Sequence, residues 1–271
     1  MQIGMIGYNA ANAHVAMQWS EAGYQVVGFD PGRDEHERTL HPGLTLVDRL
    51  DDLAIALPPP RTLWMALPDR TETERIYNEL LPLLTKGDTV IDAGYSYYKD
   101  TLRRAHVFSR FRYQLIDVGM CRAWPSTDGG GMVIGGDPST IEHLGWVFEA
   151  LSPTRTQGWG RVGPAGSGHF ARMIHAAMAS AMAQMVKEGI AILCCKTDPD
   201  LDLPQLAEIW SHSDAALARL LSLTANDLAR QTGVRGDASD EKWILDEASE
   251  LGVATPVLAC SLFEFLRTPL S

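Results

Sequence analysis

Three positions near the start of the chain have the spacing of a phosphate-binding turn. The pattern G-x-G-x-x-G would place glycines at 7, 9 and 12, and the residues found there are Gly7, Asn9 and Asn12. In such a pattern the first glycine makes the tight turn, the second lets the backbone approach a pyrophosphate, and the third lets helix and strand pack closely. The sequence predicts either a modified loop whose asparagine amide binds a phosphate, or a filled site that keeps only the fold.

A second candidate pair, Arg172 and His175, lies three residues apart in a run that is predicted to be one helix. Residues at this spacing share a helix face. A guanidinium on that face could bind a carboxylate or phosphate, and an imidazole could transfer a proton. Taken alone, however, the pair is more typical of a surface arginine and a hydrogen-bonded core histidine.

The elements that must position these residues change character along the chain. Apolar strands separated by helices predict a mostly parallel sheet covered on both faces. Beyond about His169 nothing has a strand pattern, and a long Ala- and Met-rich helix, expected to be buried on most faces with Met178 and Met182 in the core, begins a series of helices. The candidate strands are QIGMIG, YQVVGFD, TLWMALP, DTVIDAG, YQLIDVG and GGMVIGG. The later helices are predicted at LPQLAEIWS, DAALARLLSLTANDLAR, EKWILDEASELG and PVLACSLFEFLR.

Composition narrows the class of protein. The 271 residues carry a formal net charge of −11 without a basic run, which argues against a nucleic-acid partner. No apolar stretch approaches the length needed to span a membrane, and a cytoplasmic location is the simplest expectation. The four cysteines have no metal-ligand spacing, and we expect no metal site.

A series of segments in order resembles the 6-phosphogluconate dehydrogenases, in particular the short bacterial form. The segments are MQIGMIG, GFD, IDAGYSYYKDTLRRA, IDVG with MVIGGD, GPAGSGHFARMIH and KWILDEASELGVATPVL. The resemblance implies an α/β fold: an N-terminal Rossmann-type, doubly wound, mostly parallel sheet over residues 1–163, then an all-helical C-terminal domain over 164–271 with a long interdomain helix. It also implies a homodimer that oxidises and decarboxylates 6-phosphogluconate with a nicotinamide cofactor.

The catalytic positions depart from the family pattern. Where the family has a lysine base, a histidine, an asparagine and a glutamate acid, this chain has Arg172, His175, Ala176 and Ala179. A guanidinium keeps its proton at any accessible pH, so Arg172 can bind an anion but cannot act as a base.

The resemblance also places the other site residues. The substrate-binding positions are Cys121, Arg122 and Ala123, together with Arg172, and Tyr95 replaces an asparagine that touches nicotinamide and substrate. We expect Arg122 and Arg172 to form an electropositive patch. The expected cofactor-binding residues are Gly7, Tyr8, Asn9, Asn12, Asp30 and Leu67.

The cofactor is expected to be NAD or NADP. Asp30, at the end of the second strand, stands where an acid binds the ribose hydroxyls, and this favours NAD. Arg33 keeps NADP open, because a guanidinium could bind a 2′-phosphate.

Two functional hypotheses follow from the sequence. The first is an NAD(P)-linked oxidoreductase that acts on a small polar or anionic substrate other than 6-phosphogluconate, with His175 or Tyr95 as the proton-transfer group. The alternative is a catalytically inactive pseudo-dehydrogenase that binds a metabolite or a protein partner.

Overall fold

The computed structural model describes residues 1–8, 12–31, 43–121, 131–152, 158–195, 202–212 and 238–267. The chain divides into two compact units, residues 1–172 and 173–271. The domain boundary expected from the sequence, at 163/164, lies nine residues before this division.

The first unit is built on an eight-stranded sheet with the order β3-β2-β1-β4-β5-β6-β7-β8. Neighbouring strands are parallel except β6 and β7, which are antiparallel. The strands are β1 (Gln2–Ile6), β2 (Gln25–Phe29), β3 (Leu44–Val47), β4 (Thr62–Met65), β5 (Thr89–Asp92), β6 (Gln114–Cys121), β7 (Gly131–Gly135) and β8 (Trp159–Gly163). The predicted fold class is confirmed, because the sheet is mostly parallel and doubly wound about β1.

The sheet is held by two apolar layers, one on each face. Successive residues of a strand point to opposite faces, and in β4 the fully buried Trp64 joins one core cluster while Leu63 and Met65 join the other. Trp64 meets Trp19 of the first helix edge-to-face, with the ring centroids 5.2 Å apart. Burial on both faces explains why the central strands are continuous apolar runs.

Ten α-helices are described. In the first unit, α1 to α4 follow β1, β3, β4 and β5, and α5 and α6 lie between β7 and β8. Their bounds are α1 (Ala13–Glu21), α2 (Leu50–Ala56), α3 (Arg70–Leu80), α4 (Tyr98–Phe111), α5 (Pro138–His143), α6 (Gly145–Glu149), α7 (Ser167–Cys195), α8 (Leu203–Ser211), α9 (Ala238–Glu250) and α10 (Pro256–Arg267). The helix predicted at DAALARLLSLTANDLAR lies outside the described residues.

Two features of the sheet and one of the helices differ from the sequence prediction. β3 is only four residues long, β8 has only two apolar residues, and the middle residues of both are exposed or half-buried, so the sequence showed no strand pattern there. The expectation that α7 is buried on most faces is wrong, since Met178 and Met182 are exposed. Within the described ranges, no helix is long and apolar enough to cross a membrane.

Candidate functional site

The expected site residues follow the strands at one edge of the sheet. β1 lies between β2 and β4, and all three are parallel, so their carboxyl ends share an edge. In doubly wound sheets ligands bind at this edge, beside the first strand, where the strand order reverses. Five of the expected site residues lie at this edge, at the end of a strand or within three residues after it: Gly7, Asp30, Leu67, Tyr95 and Cys121.

The turn after β1 can be made only by glycine. Gly7 has φ +90°, and a Cβ there would collide with the carbonyl oxygen of Ala66. The amides of Gly7 and Tyr8 both donate to the Phe29 carbonyl, at 2.8 and 3.2 Å. The one glycine that the loop retains is therefore the one that its backbone requires.

Asn12, at the third glycine position, links the ends of two strands. It precedes α1 as its N-cap, but its side chain makes no capping hydrogen bond. Instead its Nδ2 donates to the carbonyls of Gly7 at 3.1 Å and Ala66 at 3.0 Å. A carboxamide nitrogen has two N–H donors, and these two bonds use both of them. The side chain thus fastens the loop to β1 and β4.

The remaining expected cofactor residues are placed as follows. The Tyr8 side chain is buried in the core beside Gly28, and Asp30 is half-buried directly after β2. Leu67 is buried after β4, and its backbone approaches Gly94 so closely that a Cβ there would lie 3.1 Å from the Leu67 oxygen. Asn9 and Arg33 lie outside the described residues.

The described residues fit a dinucleotide. Gly7 provides the sharp turn after β1, the first turn of α1 carries no acidic residue that would repel a phosphate, and Asp30 provides an acceptor for ribose hydroxyls. Among the described residues, no group of three or more metal-ligating side chains comes together.

Arg172 and Tyr95 are in contact. The guanidinium carbon of Arg172 lies 4.7 Å from the centroid of the Tyr95 ring, within the range of a cation–π interaction. Arg172 is buried, whereas 53% of Tyr95 is exposed. One face of the phenol therefore meets a fixed positive charge while the residue keeps access to solvent.

Cys121 lies close to the same cation. It is the last residue of β6 and is half-buried. Burial raises the pKa of its thiol, and the positive charge of Arg172 opposes that rise. The structure thus brings together Tyr95, Cys121 and Arg172, three of the residues that the sequence nominated.

The first turns of α7, which carry Arg172, are anchored to β6. The fully buried carboxylate of Asp117 accepts the amide of Gly166 at 2.6 Å and that of His169 at 2.8 Å. A Cβ on Gly119 would collide with the Gly168 carbonyl oxygen and lie 2.6 Å from Cβ of Arg172. This close packing fixes the start of α7 against the strand that ends at Cys121.

Three other nominated residues lie outside the first unit or outside the described residues. His175 lies on α7 beyond the end of the first unit and is exposed. Arg122 and Ala123 lie outside the described residues, so the structure describes only Arg172 of the two arginines expected to form an electropositive patch.

Comparison with known proteins identifies the family. A family model for the NAD binding domain of 6-phosphogluconate dehydrogenase matches residues 2–160, more than half of the chain. The chain belongs to the 6-phosphogluconate dehydrogenase family. It is therefore a member of a family of NAD(P)-binding oxidoreductases.

Individual family members are distant in sequence. YqeC of Bacillus subtilis is 29% identical over 275 residues, which cover 99% of this chain and 91% of YqeC. The NAD(+)-dependent, decarboxylating 6-phosphogluconate dehydrogenase of Haloferax volcanii is 28% identical over 97% of this chain and 89% of its own length. The solved 6-phosphogluconate dehydrogenase of Plasmodium falciparum superposes with a TM-score of 0.80 at 20% identity, over 99% of this chain and 63% of that one.

Sequence reasoning missed two buried carboxylates, Asp92 and Asp117, that hold the backbone near Tyr95 and the start of α7. Asp92 and Asp117 end or interrupt apolar strands in the segments IDAG and IDVG, and both are fully buried. An acid directly after two apolar strand residues, as in VID and LID, is a signal that could have identified them, since a buried carboxylate needs several donors.

Proposed function

We propose that this chain is an NAD(P)-linked oxidoreductase that acts on a small anionic substrate other than 6-phosphogluconate. The observation that carries the proposal is the contact between Arg172 and Tyr95 at the carboxyl edge of the sheet. In the family pattern these two positions hold a lysine base and an asparagine. Here the cation can no longer act as a base, and the neighbouring side chain carries a hydroxyl group that could transfer a proton.

Arg172 is proposed to hold the anionic group of the substrate. Its guanidinium presents several donors in a plane, which suits a carboxylate or phosphate. It remains protonated throughout the accessible pH range and cannot remove a proton from a substrate hydroxyl. Its burial strengthens its attraction for an anion by lowering the local dielectric constant.

The proton is proposed to move through Tyr95 or His175. Oxidation of an alcohol breaks a C–H and an O–H bond, giving a carbonyl, a hydride equivalent and a proton. When bound, the nicotinamide cofactor supplies the hydride acceptor. Tyr95 is exposed and lies beside the proposed anion site, whereas His175 lies one turn beyond Arg172 on α7. Either side chain has a group that exchanges a proton with solvent.

NAD is the proposed cofactor. The half-buried Asp30 directly follows β2, where a carboxylate can accept hydrogen bonds from the two ribose hydroxyls and would repel a 2′-phosphate. Gly7 and the N-terminal end of α1 would hold the pyrophosphate.

The alternative, a pseudo-dehydrogenase that binds a ligand without turning it over, is favoured by a specific observation. Ala179 lies on α7 where the family pattern has its glutamate acid, and Arg172 replaces the base. Each proton-transfer group contributes about 10²- to 10⁴-fold to the rate, so loss of both removes the family's own reaction.

The test is a search for turnover. Purified protein is incubated with NAD or NADP and a panel of small hydroxy acids and sugar acids, including 6-phosphogluconate, and nicotinamide reduction is followed. We expect turnover of a small hydroxy acid and none of 6-phosphogluconate. Arg172→Gln should raise KM, and Tyr95→Phe should lower kcat by about 10²-fold or more if Tyr95 transfers the proton.

The control is Arg75→Gln, since Arg75 is an exposed arginine of α3 paired with Glu72 and Glu79 and should leave both constants unchanged. Family-like turnover of 6-phosphogluconate would overturn the proposal. Dinucleotide binding without turnover of any substrate would favour the pseudo-dehydrogenase.

We further propose that the active form is a homodimer, as in the family. Three exposed methionines on α7, Met178, Met182 and Met185, are spaced by four and three residues and so share one apolar face. A second copy of this chain is the proposed occupant, because the face belongs to the helical unit through which the family dimerises. Met182→Glu should give a monomer by light scattering, whereas Ile55→Glu, which changes an exposed residue of α2 in the first unit, should not.

A further inference from the structure

The two residues that flank Tyr95 are both hydrogen-bonded to one buried carboxylate. Asp92, the last residue of β5, is fully buried. Its carboxylate accepts the amide of Gly94 at 3.1 Å and the hydroxyl of Ser96 at 2.8 Å. Tyr95 is therefore the residue at the tip of a turn whose two flanks are both fixed to Asp92, and this turn directs its side chain toward solvent.

A buried arginine completes this support. Arg104 of α4 donates through Nη1 to Asp92 at 3.3 Å and to the Ser96 hydroxyl at 3.1 Å, and through Nη2 to Glu74 at 2.6 Å. Tyr77 donates to Asp92 at 3.2 Å, and its ring lies 4.4 Å from the Arg104 guanidinium carbon. Hydrogen bonds from Arg104 and Tyr77 thus fix the Asp92 carboxylate, which in turn holds the turn that carries Tyr95.

The same helix also contacts the element that carries Arg172. Thr101 stands three residues before Arg104 on α4, and its hydroxyl lies 2.8 Å from Nδ1 of His169. His169 belongs to the first turn of α7, and its amide donates to Asp117. One helix of the first unit therefore supports both members of the Tyr95–Arg172 contact.

We propose that Asp92, Ser96 and Arg104 are positioning residues that hold Tyr95 against Arg172. The inference rests on the proposed function, in which this pair contacts the substrate. A buried ion pair such as Asp92–Arg104 adds little net stability compared with apolar packing, but its directional bonds define geometry. Defined geometry is what a proton-transfer group needs, because a small misplacement greatly slows transfer.

The test reports on Tyr95 directly. The tyrosine at 95 is replaced by 3-fluorotyrosine, and its ¹⁹F chemical shift is measured in variants. Arg172→Gln removes the cation and gives the reference shift for a free ring. We expect Ser96→Ala and Arg104→Gln each to move the signal toward that reference or to broaden it, because each loosens one flank of the turn.

Arg103→Gln is the matched control. Arg103 is adjacent to Arg104 and pairs with the same oxygen of Glu74, at 2.7 Å, but its contacts do not include Asp92 or Ser96. This variant should leave the Tyr95 signal where it is. Ser96→Ala keeps the test decisive if Arg104→Gln does not fold, since it removes only one hydroxyl.

A double-mutant cycle in kcat distinguishes a positioning role of Ser96 from a role in the stability of the fold. Ser96→Ala should lower kcat about tenfold in the wild-type background and have no effect in a Tyr95→Phe background, because two changes that act through one group are not additive. Unchanged ¹⁹F signals in folded Ser96→Ala and Arg104→Gln proteins would overturn the proposal. Failure of the proposed function would appear instead as absent turnover with these fluorine shifts still present.

Discussion

The guanidinium of Arg172 lies 4.7 Å from the ring centroid of Tyr95, so a permanent cation is stacked on a phenol. In the family pattern the corresponding pair is a lysine and an asparagine. Both positions have changed, and the two new side chains contact each other. We propose that this contact forms an anion-binding point beside a group that can exchange a proton, and the predictions below test its surroundings.

The proximity of Arg172 and Cys121 predicts a change in thiol reactivity. Arg172 lowers the pKa of the Cys121 thiol against the effect of burial, and the thiolate is the form that reacts with alkylating agents. Arg172→Gln should therefore slow alkylation of Cys121 by iodoacetamide at pH 8, because loss of the positive charge raises the pKa of the thiol and lowers the fraction of thiolate.

Peptide mass spectrometry measures the alkylation rate of each cysteine separately. The exposed Cys260 in the same sample serves as the internal control and should react at an unchanged rate. Equal rates at Cys121 in the two proteins would show that the guanidinium does not act on this thiol.

Gly7 and Gly23 separate steric collision from backbone strain. Both have a positive φ, +90° and +86°, but a Cβ at Gly7 would collide with the Ala66 carbonyl, whereas nothing lies within 4 Å of a Cβ at Gly23. Gly23→Ala should cost about 1 kcal/mol of unfolding free energy, and Gly7→Ala should cost more.

Urea denaturation of both variants measures this difference. Gly7→Ala should also weaken dinucleotide binding, since the collision displaces the turn that would hold the pyrophosphate, whereas Gly23→Ala should leave it unchanged. Equal losses of stability in the two variants would contradict the geometry described for the turn after β1.

Tyr77 predicts a pH dependence of stability. Burial raises the pKa of its phenol well above the ordinary value, and the Asp92 carboxylate raises it further. An unfolded tyrosine loses its proton near pH 10, so above that pH the folded state binds more protons than the unfolded state. The contribution of the Tyr77 phenol to the free energy of unfolding should therefore be fully present below pH 10 and be lost as the pH rises above it.

Tyr77→Phe removes this contribution. At pH 7 the variant should lose about 1 kcal/mol, because Asp92 loses one hydrogen bond. Above pH 10 its unfolding free energy should fall less steeply with pH than that of the wild type. Parallel pH profiles from urea titrations would mean that the Tyr77 phenol titrates alike in both states.

The sequence was sufficient to predict the sheet, because the central strands are buried on both faces and read as continuous apolar runs. It was insufficient for β3 and β8, whose partly exposed residues lack such a run. At the site, residue types and spacing nominated Arg172, and the family resemblance nominated Tyr95 and Cys121. Asp92 and Arg104 escaped notice, since the contacts of Arg104, including the one with Asp92, join residues 8 to 30 positions apart in the chain.

Contacts between distant residues also determine the structure of the loop after β1, and the sequence alone could not predict them. The replacement of the third glycine by Asn12 left open whether its amide binds a phosphate or its side chain fills the site, and spacing alone could not show which acceptors the amide would reach. In the folded chain both of its donors go to the carbonyls of Gly7 and Ala66, the second of which is 54 residues away. Its role as a link between strand ends depends on the tertiary fold.

Calorimetric titration of the purified protein with NAD, NADP and their reduced forms tests the central claim most directly. We expect saturable binding of NAD in preference to NADP, with binding weakened by Gly7→Ala and retained in Tyr95→Phe. A ligand present at a hundred times its dissociation constant should also stabilise the fold by about 2.7 kcal/mol. The absence of binding by all four dinucleotides at millimolar concentration, in a protein that unfolds cooperatively, would contradict the assignment of this chain as a dinucleotide-linked oxidoreductase.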